Sequence, residues 1–187
     1  MPTLSVFNNV SIDGYFVDAG GGMGWAHRGD DPEWNAYVSG NASGDGLLVF
    51  GRRTYDMMAS YWPTPMAASA NPVVAERMNA GRKLVFSRTM RDASWRNTRL
   101  VTDDLIGEMR RLKRDGDVDM TILGSGSIVA QLAEAGLIDT YQLVVVPIAL
   151  GAGRTMFDGL THPLNMKSTG ARAFRNGSVV LSYEPVS

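Results

Sequence analysis

Twice along this chain a short run of apolar and β-branched residues stops at glycine and gives way at once to a helical pattern. The first place is Val49-Phe50-Gly51-Arg52-Arg53-Thr54; the second is Ile122-Leu123-Gly124-Ser125-Gly126-Ser127, followed by Ile128-Val129-Ala130. A strand that turns directly into a helix is the building unit of α/β sheets. It also leaves the N–H groups of the first helical turn without backbone partners, facing out beyond the strand's C-terminal end. That is where ligands of open α/β sheets lie.

The rest of the chain fits the same alternation. Residues 4–8 read as the first strand, ending in a polar stretch and Asp13-Gly14, with a glycine-rich segment at 19–24 and Trp25 and His27 just beyond. Asp30-Asp31-Pro32-Glu33 has the chemistry of a helix start, with acids and a proline in the first turn. This helix is expected to reach about residue 38 and stop in Ser39-Gly40-Asn41. Strands are expected at 47–50, 83–87, 100–102, 120–123 and 141–147, and helices at 52–60, 103–114 and 127–135. Leu105, Ile106, Met109 and Leu112 recur at helical spacing, and Gly136 is placed as a stop. Pro63 and Pro65 break the chain before a helix or turn at 71–79. Residues 165–174 and 178–184 read as a hairpin around Asn176-Gly177. With no repeat or linker, one domain over 1–187 is expected.

Composition removes several chemistries. The absence of cysteine excludes a disulfide framework, a thiolate nucleophile and a Cys-ligated zinc. Two histidines, His27 and His162, are too few for a His-rich metal centre, so no metal is expected. Net charge is −1 with the basic residues scattered, which argues against a nucleic-acid partner. The N-terminus lacks the pattern of a signal peptide, and the apolar run 141–150 is short and interrupted by Pro147. The expectation is a cytoplasmic protein with no membrane partner.

Both strand–glycine–helix junctions have the make-up of an anion site. At the first, Gly51 lets the helix begin at once and Arg52, Arg53 and Thr54 add donors; a tight turn with solvated arginines reads the same way. At the second, Gly124 and Gly126 allow close approach of the backbone to a phosphate while Ser125 and Ser127 donate. The spacing matches neither G-x-G-x-x-G nor the lysine-bearing phosphate loop, which disfavours nucleotide hydrolysis. A third strand ends in Ser87-Arg88, a hydroxyl and guanidinium suited to a phosphate monoester such as the 2′-phosphate of NADPH. An exposed arginine at a strand end is the ordinary alternative.

The order of these features resembles the dihydrofolate reductase superfamily. Ser11-Ile12-Asp13-Gly14, Gly51-Arg52-Arg53-Thr54, Ser87-Arg88, Gly124-Ser125-Gly126-Ser127 and the segment from Pro147 to Gly153 with Phe157 carry the resemblance. Within it the chain looks most like the reductase domain of the bifunctional riboflavin-biosynthesis deaminase–reductase and its stand-alone relatives. The resemblance implies an α/β fold with a mostly parallel central sheet, an antiparallel edge strand and helices on both faces. It implies NADPH across the strand ends, on Gly51, Arg52, Arg53, Thr54, Ser87, Arg88, Gly124, Ser125, Gly126 and Ser127. Segment 19–24 would be the loop closing over the nicotinamide. Asp31, flanked by Trp25 and Trp34, would be the carboxylate that assists protonation, with Asp13 and Trp25 as substrate contacts; Asp31 is equally a helix-start acid and Asp13 a turn residue. Where folate-reducing members carry two adjacent glycines, this chain has Gly124-Ser125. No zinc-deaminase signature is present.

These readings lead to an NADPH-dependent reductase of a small heterocyclic substrate, resembling 5-amino-6-(5-phosphoribosylamino)uracil reductase. A dihydrofolate or pterin reductase and a non-catalytic NADP(H)-binding module are the alternatives. A homodimer is compatible with the apolar strand 142–146 and the C-terminal hairpin.

Overall fold

A computed structural model describes residues 1–27, 31–41 and 44–186. Its frame is one eight-stranded sheet in the order β5-β4-β3-β6-β1-β7-β10-β9. The strands are β1 (Leu4–Ser11), β3 (Leu47–Gly51), β4 (Lys83–Phe86), β5 (Thr98–Val101), β6 (Met120–Leu123), β7 (Thr140–Val146), β9 (Met166–Ala173) and β10 (Val179–Pro185). From β5 to β7 every pairing is parallel. β10 lies antiparallel to β7, and β9 antiparallel to β10. The reversed strand is therefore β10, one place in from the edge: the hairpin sets its second arm against β7, which leaves β9 outermost.

Continuous apolar runs mark β3 and β4 because both faces are covered. Adjacent residues go to opposite sides: Val49, Leu84 and Phe86 join one core with Leu4, Val6, Met109, Met120, Ile122 and Leu132, while Phe50 and Val85 join another with Tyr55, Val74, Met78 and Trp95. The first core packs under α5 (Leu105–Asp115) and α6 (Gly126–Glu134), and the second under α2 (Arg52–Tyr61) and α4 (Pro72–Ala80). A third apolar cluster gathers Val144, Val146, Phe174 and Val180 with Trp25, Trp34 and Tyr37, the last two on α1 (Pro32–Asn41).

Three elements depart from the sequence expectation. α1 runs on through Ser39 and Gly40 to Asn41. Pro65 sits in the first turn of a short helix, α3 (Pro65–Ala70), capped by the Thr64 hydroxyl, so the proline opens a helix there. A second, two-stranded sheet pairs β2 (Tyr15–Asp18) with β8 (Gly153–Thr155). Its strands are four and three residues long, too short for any periodicity to show. Asp30, part of the expected helix start, lies outside the described residues.

Candidate cofactor cleft

Because β4, β3 and β6 are parallel neighbours, the three segments that follow them emerge side by side. They do more than lie close. The hydroxyl of Ser125 accepts the Gly51 N–H at 2.6 Å, and the Ser125 N–H donates to Thr54 Oγ1 at 3.0 Å. Two reciprocal bonds thus fasten the start of α6 to the start of α2. The helices have Ser125 and Gly51 as N-caps, and neither receives a side-chain capping bond. In α6 the Ile128 N–H turns back to the Ser125 carbonyl, which leaves the N–H groups of Gly126 and Ser127 for the space beyond the sheet.

That space is a cleft of about 980 Å³ lined by Gly51, Arg52, Arg53, Thr54, Ser87, Arg88, Ser125, Gly126 and Ser127. Of the ten expected cofactor residues, only Gly124 does not line it, and it forms the turn just before Ser125. The roles within the group are unequal. Thr54 and Ser125 are buried and engaged with each other's junction. Arg52 leans away, donating to Thr89 Oγ1 at 2.7 Å and pairing with Asp56. The Ser87 hydroxyl accepts from the N–H groups of Thr89 and Met90 and keeps its own proton to donate. Among the described residues, the side chains of Arg53 and Arg88 make no hydrogen bond or ion pair, so their charge is open to a ligand. Of the three carboxylates that also line the cleft, Asp56 pairs with Arg52 and Asp104 caps α5 through the Gly107 N–H, while Asp103 has no such partner among the described residues.

The turn into α6 is held in an uncommon conformation. Gly124 has φ +64° and Ser125 φ +60°, two successive left-handed residues. A side chain at 124 would also strike Thr54, 2.7 Å from where its Cβ would stand, and one at 126 would strike the Phe16 ring at 2.7 Å. Serine at 125 costs about 1–2 kcal/mol in this region relative to a right-handed conformation, and its hydroxyl bond to Gly51 offsets that. The turn thus holds two successive left-handed residues with glycine at only the first of them, joined by a trans peptide. Asn8, buried on β1, holds the turn from beneath: its Oδ1 accepts the Gly124 N–H at 2.5 Å while Nδ2 faces the Gly124 carbonyl and Met156 Sδ. Sequence reasoning passed over Asn8, although a signal exists. Leu4, Val6, Asn8 and Val10 alternate onto one face, and only the third is polar.

The opposite wall comes from the small sheet and the glycine-rich segment. Phe16, Val17, Gly20, Gly21, Met23 and Arg154 line it. Segment 19–22 is a closed turn, with Asp18 accepting the Gly22 N–H at 2.8 Å and the Asp18 N–H donating to the Gly22 carbonyl at 3.0 Å.

The three expected substrate or catalytic residues stand apart from this cleft. Asp13 is committed to the chain: it accepts from the Ser11 hydroxyl at 2.6 Å, from Gly151 N–H at 2.7 Å and from Leu150 N–H at 3.0 Å. The Ser11 hydroxyl foremost, then these backbone donors, hold its carboxyl down to about 2. Trp25 donates to the Gly22 carbonyl and packs in the third apolar cluster. Asp31 is buried at the start of α1, where Oδ1 accepts from Glu33 and Trp34 N–H and Oδ2 accepts the Asn176 N–H of the C-terminal hairpin. Burial pushes its carboxyl up, but these three donors outweigh that and keep it below the ordinary range. Such a carboxylate fixes structure and is a poor proton donor at neutral pH.

A mostly parallel sheet with helices on both faces, and a cleft built where strands run into helix N-termini, define a dihydrofolate-reductase-like α/β protein. More narrowly, the family model for the RibD C-terminal domain matches residues 2–180, and the chain belongs to that family. It is 23% identical over 174 residues to YyaP of Bacillus subtilis (strain 168), covering 93% of this chain and 90% of that protein. Among solved structures it is similar to a putative riboflavin biosynthesis protein from Shewanella sp. PV-4, with TM-score 0.77, 23% identity and 99% of each chain covered. It is also similar to Enterococcus faecalis dihydrofolate reductase complexed with NADP(H), with TM-score 0.64, 13% identity, and 99% and 97% of the two chains covered. Among the described residues no helix is long and apolar enough to cross a membrane, and no cluster of side chains suits a metal ion.

Proposed function

We propose that this protein is an NADPH-dependent reductase of a small heterocyclic substrate of the pyrimidine or pterin kind, related in chemistry to 5-amino-6-(5-phosphoribosylamino)uracil reductase. One observation carries the reading: two helix N-termini without side-chain caps are fastened together at one cleft and flanked by the unpaired guanidinium groups of Arg53 and Arg88. The donor set fits a phosphorylated dinucleotide. The N–H groups of Gly126 and Ser127 and those opening α2 suit the diphosphate. Ser87 and Arg88, at the end of β4, suit a 2′-phosphate as hydroxyl and charge-assisted donors. The cofactor reported with the Enterococcus structure supports the same choice. Reduced nicotinamide supplies the hydride in such a reaction. The chain's part is to bind and orient, and to exclude water where segment 19–22 stands over the cleft.

Titration of the protein with NADPH and NADH, read by nucleotide fluorescence, tests the cofactor assignment. NADPH is expected to bind more tightly, and Arg88→Ala to erase the difference. Equal affinities in the unaltered protein would overturn it. NADPH oxidation with a pyrimidine or pterin acceptor tests the reductase. A second reading, a module that binds NADP(H) without turnover, draws support from the engagement of both Asp31 oxygens by backbone donors. Acceptor-dependent NADPH oxidation would dismiss it.

A further inference from the structure

The cleft has a cation that the two junctions do not supply. Arg154 lies on β8, pairs in register with Val17, and lines the wall facing the N-terminus of α6. Its Cζ stands 5.7 Å from the centre of the Phe16 ring. Among the described residues its side chain has no carboxylate partner and no hydrogen bond. Phe16 is almost wholly buried and its ring abuts Gly126, while the Thr155 carbonyl comes within 3.4 Å of the position a Gly126 side chain would take. The register of the small sheet shifts between Tyr15 and Val17. A bulge of this kind re-aims a side chain, and here it lets both Phe16 and Val17 face the protein interior. Arg154 is thereby held beside the first turn of α6 through an aromatic platform. Its strand is fixed from behind by Asp13, which grips the N–H groups of Leu150 and Gly151 just before β8.

Resting on the dinucleotide reading of the cleft, we infer that Arg154 is an anion-binding residue that closes the cleft from the side opposite Arg88 and takes a phosphate oxygen beyond the α6 N-terminus. Arg88 follows β4, on the far side of β3 from β6. Neighbouring strands lie about 4.8 Å apart, so these two ends are separated by roughly 10 Å. A ligand with two separated phosphate positions meets Arg88 at one end and Arg154 at the other. The phosphate at Arg154 belongs either to the nicotinamide half of the cofactor or to the substrate. The shared chemistry is a phosphate ester bound by a guanidinium that an aromatic face and a helix start hold in place.

The test compares the unaltered protein with Arg154→Ala and Arg154→Lys in binding four probes: NADPH, reduced nicotinamide mononucleotide, adenosine 2′,5′-bisphosphate, and inorganic phosphate with NADP⁺ saturating. Loss of a charge-assisted bond predicts at least a tenfold weakening, about the scale of such bonds. If the cofactor supplies the phosphate, Arg154→Ala weakens NADPH and the mononucleotide by that factor, leaves the bisphosphate within about twofold, and Arg154→Lys recovers part of the loss. If the substrate supplies it, the three nucleotides are unaffected and inorganic phosphate binding disappears. Unchanged affinity for all four would overturn the inference. Failure of the unaltered protein to bind NADPH or the bisphosphate defeats the dinucleotide reading instead; Arg154 is then judged on inorganic phosphate without nucleotide, where binding lost in Arg154→Ala upholds it and equal or absent binding overturns it.

Discussion

Ser125 Oγ and the Gly51 N–H meet at 2.6 Å, and this bond joins two helix starts that lie 74 residues apart in the chain. Its energetics can be separated from those of the backbone at 125, which is left-handed. Ser125→Gly relieves the conformational cost but leaves the buried Gly51 N–H without its acceptor, a loss of about 1–3 kcal/mol. Ser125→Ala suffers the same loss and keeps the strain. The expected order of stability is unaltered protein, then Ser125→Gly, then Ser125→Ala, with the two variants about 1 kcal/mol apart. Urea denaturation measures it, and an alanine variant as stable as the glycine variant would remove the strain from the account.

Asn8 supports the same turn from the neighbouring strand. Asn8→Leu preserves bulk and fits the apolar alternation of β1, yet it deprives both the N–H and the carbonyl of Gly124 of their partner. Each buried orphan costs about 1–3 kcal/mol. The variant is expected to melt at lower temperature and, where still folded, to bind NADPH more weakly than the unaltered protein because the α6 start is no longer held. A melting temperature unchanged or raised would show that the turn needs no support from β1.

The sequence displayed the junctions because a strand, a glycine and a helix start are local events, each written in six consecutive residues. Parallel order then placed Gly51, Ser87 and Ser125 at one edge with no further information. What stayed hidden is tertiary. Nothing local distinguishes Thr54 and Ser125, which bind each other's junction, from Arg53 and Arg88, which stay open. The small sheet depends on the meeting of 15–18 with 153–155, segments remote in the chain and too short for a periodic signal, so Phe16 and Arg154 did not surface as cleft residues. Asp31 illustrates the opposite difficulty: its helix-start chemistry was local and legible, while its third bond, to Asn176, comes from the far end of the chain.

Asp13 sets an acid limit on the same region. Its carboxyl is held at about 2, against an ordinary value of 3.8, by the Ser11 hydroxyl first and then the N–H groups of Gly151 and Leu150. A carboxyl depressed by folding stabilises the folded state fully above its unfolded value and loses that contribution as pH falls toward the folded one. Stability is therefore expected to decline between about pH 4 and pH 2 in part through Asp13, and this part should vanish in Asp13→Asn. Denaturation midpoints over that range, compared between the two proteins, provide the check; parallel curves would mean that the contact makes no proton-linked contribution.

The last prediction concerns Asp31, where a structural and a catalytic role lead to different measurements. All three hydrogen bonds described for its carboxylate come from backbone N–H groups, and together they keep it ionised against the opposing effect of burial. A carboxylate so held caps α1 and ties it to the turn of the C-terminal hairpin. Asp31→Ala is expected to lower the melting temperature by several degrees through loss of the cap and the tie, and Asp31→Asn by less, since the amide oxygen still accepts. Turnover per folded molecule, with an acceptor that sustains NADPH oxidation, should change little in Asp31→Asn, and its pH profile should not shift. If kcat instead fell by two orders of magnitude at an unchanged melting temperature, the carboxylate would be acting on the substrate, and its backbone bonds would have to open during the reaction for it to do so.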